Sequence, residues 1–233
     1  MSPEASQLAL PVYLRDDTTL DNFLFAEHNG ALREALQALV TTGAEPSLYL
    51  HGPAGSGRSH LLQAACHCMP TGEALYLPLE QLLELPPQEV LAGVESLSLV
   101  SLDNLDLVSG RADWEEALFH LLNRAREQQC RLLIGANAAP RQLVLNLPDL
   151  ESRLSWGLVF QLEEPADDEK LHILQFRARQ RGMVLSDEAA AFIMSRAGRA
   201  LDQLVDLLAQ LDRDSLVAQR QLTIPFIKQC LGW

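Results

Sequence analysis

The sequence predicts an α/β fold, a P-loop module on a parallel five-stranded sheet, followed by a small all-helical domain. Three observations predict it. From residue 46 to residue 160, short apolar runs alternate with turns and helical stretches, the pattern of a parallel sheet covered on both faces. The first of these runs leads into a glycine-rich loop and then a helix, an arrangement that binds phosphate. Beyond about residue 164 the strand signals stop while helical periodicity continues.

Strands are expected at Leu48–His51, Ala74–Pro78, Leu97–Asp103, Arg131–Gly135 and Leu158–Leu162, each a short apolar run bounded by turn residues. Helices are expected between them at Arg58–Met69 and Ala112–Gln128, where Trp114, Leu118, Leu121 and Leu122 recur at helical spacing. The acidic run from Glu163 to Glu169 reads as a linker and helix start. Helices then follow at Asp168–Gln180, Asp187–Ala197, Leu201–Asp212 and Ile224–Leu231. The expected division is a tail over 1–18, an α/β domain over 19–163 and a helical domain over 164–233.

Composition narrows the function. The chain has 233 residues, 48% apolar and 21% charged, which is ordinary globular usage. Its net charge is −13, and residues 1–160 carry 20 acidic against 9 basic side chains. A surface that neutralises nucleic-acid phosphates needs excess cations; here Lys170 and Lys228 are the only lysines and the arginines are scattered. Direct, sequence-specific nucleic-acid binding is therefore not expected. No 18-residue uncharged apolar run and no basic segment before an apolar stretch occur, so neither a membrane span nor a secretory signal is expected, and the chain reads as cytoplasmic. Cys66, Cys68, Cys130 and Cys230 lack the spacing of a zinc site or a disulfide framework. Cys66 and Cys68, near His60 and His67, point to different helix faces, and buried thiols are the expectation.

The loop is Gly52-Pro53-Ala54-Gly55-Ser56-Gly57-Arg58-Ser59, the phosphate-loop pattern with arginine in the lysine position. Glycines let backbone N–H groups approach phosphate oxygens, and the following helix N-terminus favours negative charge. Ser59 is placed to ligate magnesium. Arg58 keeps the charge but is a planar fork rather than a compact ammonium. Asp103 ends the third strand, where it can hold magnesium through water or simply begin a turn. Nucleotide hydrolases normally carry an acid next, whereas Asn104 cannot serve as a base at neutral pH. Both departures point to a protein that holds a nucleotide, ADP or ATP, with poor turnover of its own.

Other features stay open on the residues alone. Gln7-Leu8-Ala9-Leu10-Pro11 either packs on its own domain or docks in a partner's groove as an extended peptide. Arg153 either pairs with Asp149 or Glu151 at the surface or serves phosphate chemistry. Arg177, Arg179 and Arg181 read as a solvated basic helix face.

Taken together, these motifs resemble an AAA+ module, more closely the DnaA-like replication initiators, and closer still the Hda group of short DnaA-like inactivators. Thr19-Leu20-Asp21-Asn22-Phe23 with Asn29 is similar to the initiator segment that lines the base pocket. Asn137 falls at the sensor 1 position, Ser152-Arg153-Leu154-Ser155-Trp156-Gly157-Leu158 resembles box VII with Arg153 as an arginine finger in trans, and Arg199 matches the sensor 2 arginine. The tail pentapeptide is similar to a sliding-clamp-binding motif, carried by Gln7, Leu8, Leu10 and Pro11. The resemblance implies a negative regulator of replication initiation. It would bind ADP in preference to ATP, dock on the DNA-loaded clamp, and stimulate hydrolysis of DnaA-bound ATP. With no basic helix-turn-helix domain after the lid, origin recognition is not expected. Self-association is left open. Two other classes remain: an AAA+ ATPase of the helicase-loader or remodelling type, and a clamp adaptor whose arginine is incidental.

Overall fold

The computed structural model describes residues 14–15, 17–198 and 200–233; the tail motif of Gln7, Leu8, Leu10 and Pro11, and the lid residue Arg199, lie outside them. The chain divides into two compact units, one ending at Glu163 and the other spanning Glu164–Trp233.

In the first unit, β1 (Ser47–His51), β2 (Ala74–Pro78), β3 (Leu99–Asp103), β4 (Arg131–Ala136) and β5 (Leu158–Gln161) form a parallel sheet in the order β2-β3-β4-β1-β5. Alternate residues of β1 to β4 face opposite layers. Tyr49, Leu77, Val100, Leu102, Leu132 and Ile134 join one apolar cluster, while Leu48, Leu50, Tyr76, Leu99 and Leu133 join the other. Helices α1 (Gly30–Thr41) and α2 (Arg58–His67) cover the second cluster. The short α3 (Leu79–Leu82) and α4 (Pro87–Val90), with α5 (Ala112–Glu127) and α6 (Pro148–Leu154), cover the first. Trp114 anchors that layer: it is fully buried and its indole N–H donates to the Leu83 carbonyl at 3.2 Å.

The expected strands and helices are present, with shifted ends. The third strand begins at Leu99 because a 3-10 turn over Val94–Ser96 precedes it. Four helices of this unit were not expected from the sequence, the short α3 and α4 and two longer ones. One is α1, although Leu32, Leu36 and Leu39 recur on its buried face; the other is α6, which starts at Pro148 in the favoured first-turn position. Among the cysteines, Cys66 and Cys130 are buried as expected, but Cys68 is exposed where α2 ends.

The second unit comprises α7 (Asp167–Gln180), α8 (Asp187–Ala197), α9 (Leu201–Ala218) and α10 (Ile224–Leu231). Leu174, Ile193, Leu204, Leu208, Leu211 and Phe226 form its core. Helix α9 runs past the expected Asp212 because its buried face continues to Ser215, and Gln219 closes it in the left-handed conformation. The three-arginine patch is not a solvated face: Arg177 is buried, Arg181 is half-buried beside Asp212 at 3.9 Å, and only Arg179 is exposed. Among the described residues no helix is long and apolar enough to cross a membrane.

The pairing of β5 with β1 depends on a close approach. A Cβ at Gly157 would lie 1.9 Å from the Ser47 carbonyl oxygen. Gly157→Ala is expected to destabilise the α/β unit by about 2 kcal/mol, read as a lower urea midpoint; a midpoint equal to the parent's would contradict this packing.

Candidate functional site

The glycine-rich loop leaves β1 at its carboxyl end and enters α2 through Gly57, whose φ of 89° lies in the left-handed region. A Cβ there would sit 2.6 Å from the ring of Phe23. Phe23 follows a 3-10 turn over Leu20–Asn22 that is capped by the Thr19 hydroxyl, and its ring also packs on Phe25 and His60. Phe23 therefore stands directly against the loop. Gly52 is equally constrained: a Cβ would meet the Leu162 carbonyl oxygen at 2.1 Å.

Arg58 is 6% exposed. Its Nη1 donates to the carbonyls of Gly52 and Ala136, tying the loop to the end of β4, while Nε is buried without a partner. No carboxylate among the described residues neutralises it. Ser56 Oγ, in the same loop, is also buried and unpartnered. A buried cation without a counter-ion is costly. With two orphaned polar atoms in a loop that opens a ten-residue helix, these residues fit the phosphate groups of a nucleotide. Burial, reinforced by the nearby Arg58 charge, lowers the pKa of His51 at the end of β1.

Asp103 is 1% exposed at the end of β3. Its Oδ2 accepts the Tyr76 hydroxyl at 2.7 Å and its Oδ1 accepts the Asn104 backbone N–H at 2.9 Å. Asp103 packs against β4 where that strand carries Gly135; a Cβ there would lie 2.9 Å from Asp103 Oδ1. Burial, followed by the Asp103 charge, pushes the Tyr76 phenol far above its ordinary range. The two residues expected to hold magnesium, Ser59 and Asp103, stand on the first turn of α2 and at the end of β3, and each Asp103 oxygen accepts one hydrogen bond of the two it can take. Asn104, in the left-handed conformation, directs its side-chain amide to Glu80 at 3.4 Å.

Asn137 follows β4 and is exposed. Its backbone N–H and Nδ2 donate to the two oxygens of Asp106 at 2.7 and 2.9 Å. The thiol reading also resolves. Burial pushes Cys66 up to about 11, its Sγ donates to Ser101, and no metal-competent group of three His, Cys, Asp or Glu side chains occurs among the described residues.

Arg153 lies at the other end of the sheet. With Arg126, Arg131 and Trp156 it lines a groove of about 740 Å³ that also contains Ser47 and Leu132, where β1 and β4 begin. Its Nε donates to Asn123 Oδ1 at 2.7 Å and Nη1 donates to the Asp149 carbonyl at 3.2 Å. The guanidinium stacks on Phe119, 3.9 Å from the ring centroid, and neighbours the half-exposed Trp156 at 5.2 Å. Neither surface ion pair considered from the sequence forms, since Arg153 bonds no carboxylate among the described residues. Phe119, Asn123 and Arg126 lie on one face of α5. They, Tyr76 and Asp106 were missed in the sequence. The signal for Tyr76 was a lone phenol inside the otherwise aliphatic run Ala74-Leu75-Tyr76-Leu77.

Residues 167–231 match the family model described as Hda, lid domain. The fold resembles domain III of the Thermotoga maritima replication initiation protein DnaA, at 21% identity and a TM-score of 0.74, over 95% of this chain and 98% of that one. It also resembles AMPPCP-bound DnaA from Aquifex aeolicus, at 19% identity and a TM-score of 0.70, over 85% and 66% of the two chains. The Holliday junction branch migration motor RuvB of Thermotoga maritima is similar at 20% identity and a TM-score of 0.64, over 92% and 71%.

The half-buried His51 generates a test. Its folded pKa lies below its unfolded value near 6.5, so below that pH the unfolded chain takes up the proton first. The stability it contributes is complete above about pH 6.5 and is lost as pH falls further. Between pH 7 and pH 5 the melting temperature of the parent should fall relative to that of His51→Gln; a constant difference would contradict it.

Proposed function

We propose that this chain, a DnaA-like AAA+ protein of the Hda type, is a nucleotide-bound negative regulator of replication initiation that presents Arg153 to ATP held by the initiator DnaA. The observation that carries this reading is the separation of Arg153 from the chain's own loop. The loop follows the last residue of β1, and the Arg153 groove includes the first, roughly 13 Å apart along the strand. An arginine so placed serves a phosphate on another subunit. It is also pre-organised for that role, because Asn123 and Phe119 set its orientation and no carboxylate among the described residues competes for its charge. Phosphoryl transfer spreads charge over the γ-phosphoryl oxygens, and an arginine supplied in trans is worth about 10³ to 10⁵ in rate.

In this reading the chain's own nucleotide, ADP in preference to ATP, is structural. The loop amides, Ser56 and Arg58 bind its phosphates, Phe23 stands by its base, and Asn104 provides no base for its hydrolysis. By resemblance, Asn137 and Arg199 are assigned to its terminal phosphate. The Gln7, Leu8, Leu10 and Pro11 motif tethers the protein to the DNA-loaded sliding clamp. The regulator acts in the cytoplasm and is not a robust ATPase itself.

The test is ATP hydrolysis in a mixture of this protein, DNA-loaded clamp and ATP-bound DnaA, omitting each in turn. Stimulation is expected only with all three, and Arg153→Ala should lower the stimulated rate by about 10³ or more. Full stimulation by that variant would leave a clamp adaptor as the better account, and turnover by the isolated chain would favour a self-contained ATPase. Replacing Gln7, Leu8 and Leu10 by alanine should abolish clamp binding in a surface-immobilised clamp assay; unchanged affinity would remove the tether from the mechanism.

A further inference from the structure

Helix α5 carries two arginines in its last turn, Arg124 and Arg126, and only one of them is neutralised. Arg124 Nε donates to Glu95 Oε1 at 2.8 Å. Arg126 is exposed, lies over the Trp156 ring at 4.5 Å from its centroid, and bonds no carboxylate among the described residues. Arg153 neighbours the same ring at 5.2 Å, so two guanidinium groups share one indole. A cation–π contact eases that proximity without neutralising either charge. Both arginines line the groove of about 740 Å³ together with Arg131, whose Nε and Nη1 donate to the carbonyls of Ser98 and Leu39 at 2.9 and 2.7 Å. Among the described residues that line it there is no carboxylate. In a chain of net charge −13, three cations gathered in one concavity focus a positive field and draw anions in. A lone carboxylate fills one guanidinium fork; several forks in one groove match an anion with charged oxygens along its length, as a triphosphate has.

We propose that Arg126 is a second cation for the triphosphate held by the partner, binding it beside Arg153 while Trp156 keeps both guanidinium groups at the groove. The inference rests on the reading of Arg153 as an arginine acting in trans, and adds to it a residue for binding. Arg153 meets the phosphoryl group being transferred; Arg126 holds the rest of the triphosphate. Asn123, which orients Arg153 at 2.7 Å, and Arg126 stand three positions apart on α5, so one helix face sets the first cation and supplies the second.

The first experiment needs no partner. Inorganic triphosphate is titrated into the full chain, and the tryptophan fluorescence change that Trp156→Phe abolishes is read as binding in the groove, since the other two tryptophans remain in that variant. A saturable change is expected, with Arg126→Gln binding about tenfold more weakly than the parent. No saturable change in the parent, or equal affinity of Arg126→Gln, overturns the proposal. An oligoglutamate peptide that binds at least as tightly as triphosphate also overturns it, and assigns the groove to an acidic segment instead. The second readout is hydrolysis of DnaA-bound ATP in the presence of DNA-loaded clamp. Arg126→Gln should raise the concentration of this chain needed for half-maximal stimulation about tenfold; an unchanged concentration overturns the proposal. If Arg153→Ala stimulates as well as the parent, the in-trans reading fails, and the triphosphate titration alone decides whether Arg126 belongs to an anion site.

Discussion

The α/β unit is organised around a buried guanidinium. Arg58 bonds the carbonyls of Gly52 and Ala136 at once, so the loop after β1 and the end of β4 are fixed to each other from within. A charge in that position, with no carboxylate among the described residues beside it, sets a demand that the rest of the site answers. The unpartnered Ser56 hydroxyl and the unpartnered Arg58 Nε belong to the loop and to the first residue of the helix that follows it. Lysine there would extend a point charge outwards; arginine spends part of its fork on backbone carbonyls and becomes a structural tie as well as a cation.

A parallel sheet separates its two ends by the length of its strands, and this chain uses the separation. The loop, Asp103 and Asn137 all follow the carboxyl ends of strands, the usual place for ligand chemistry in open α/β sheets. Arg153 and Trp156 stand at the opposite end, held by α5 and the residues around α6. The two sites therefore cannot serve one nucleotide.

Much of this was legible in the residues. The alternation of apolar runs with helical stretches marked five strands, and all five are present in parallel register. The loop pattern located Gly52 to Ser59, and Gly52 and Gly57 stand where a side chain would collide with Leu162 and Phe23. The apolar periodicity of the last seventy residues announced helices, and the lid match covers 167–231. Three arginines in a row of alternate positions looked like a solvated face, because spacing alone does not say which side of α7 is covered; Arg177 proved buried.

What the sequence determined by itself is local: strand and helix positions follow from periodicity, and the loop from the residues its backbone conformation requires. Tertiary structure decided the pairings between distant segments. Tyr76 and Asp103 are 27 positions apart, Asn137 and Asp106 are 31 apart, and Arg153 and Asn123 are 30 apart. None of these pairs has a spacing rule, because each joins separate elements, and contact follows only once strand order and helix packing are set. The same residues would read as isolated polar side chains in any other arrangement of the five strands.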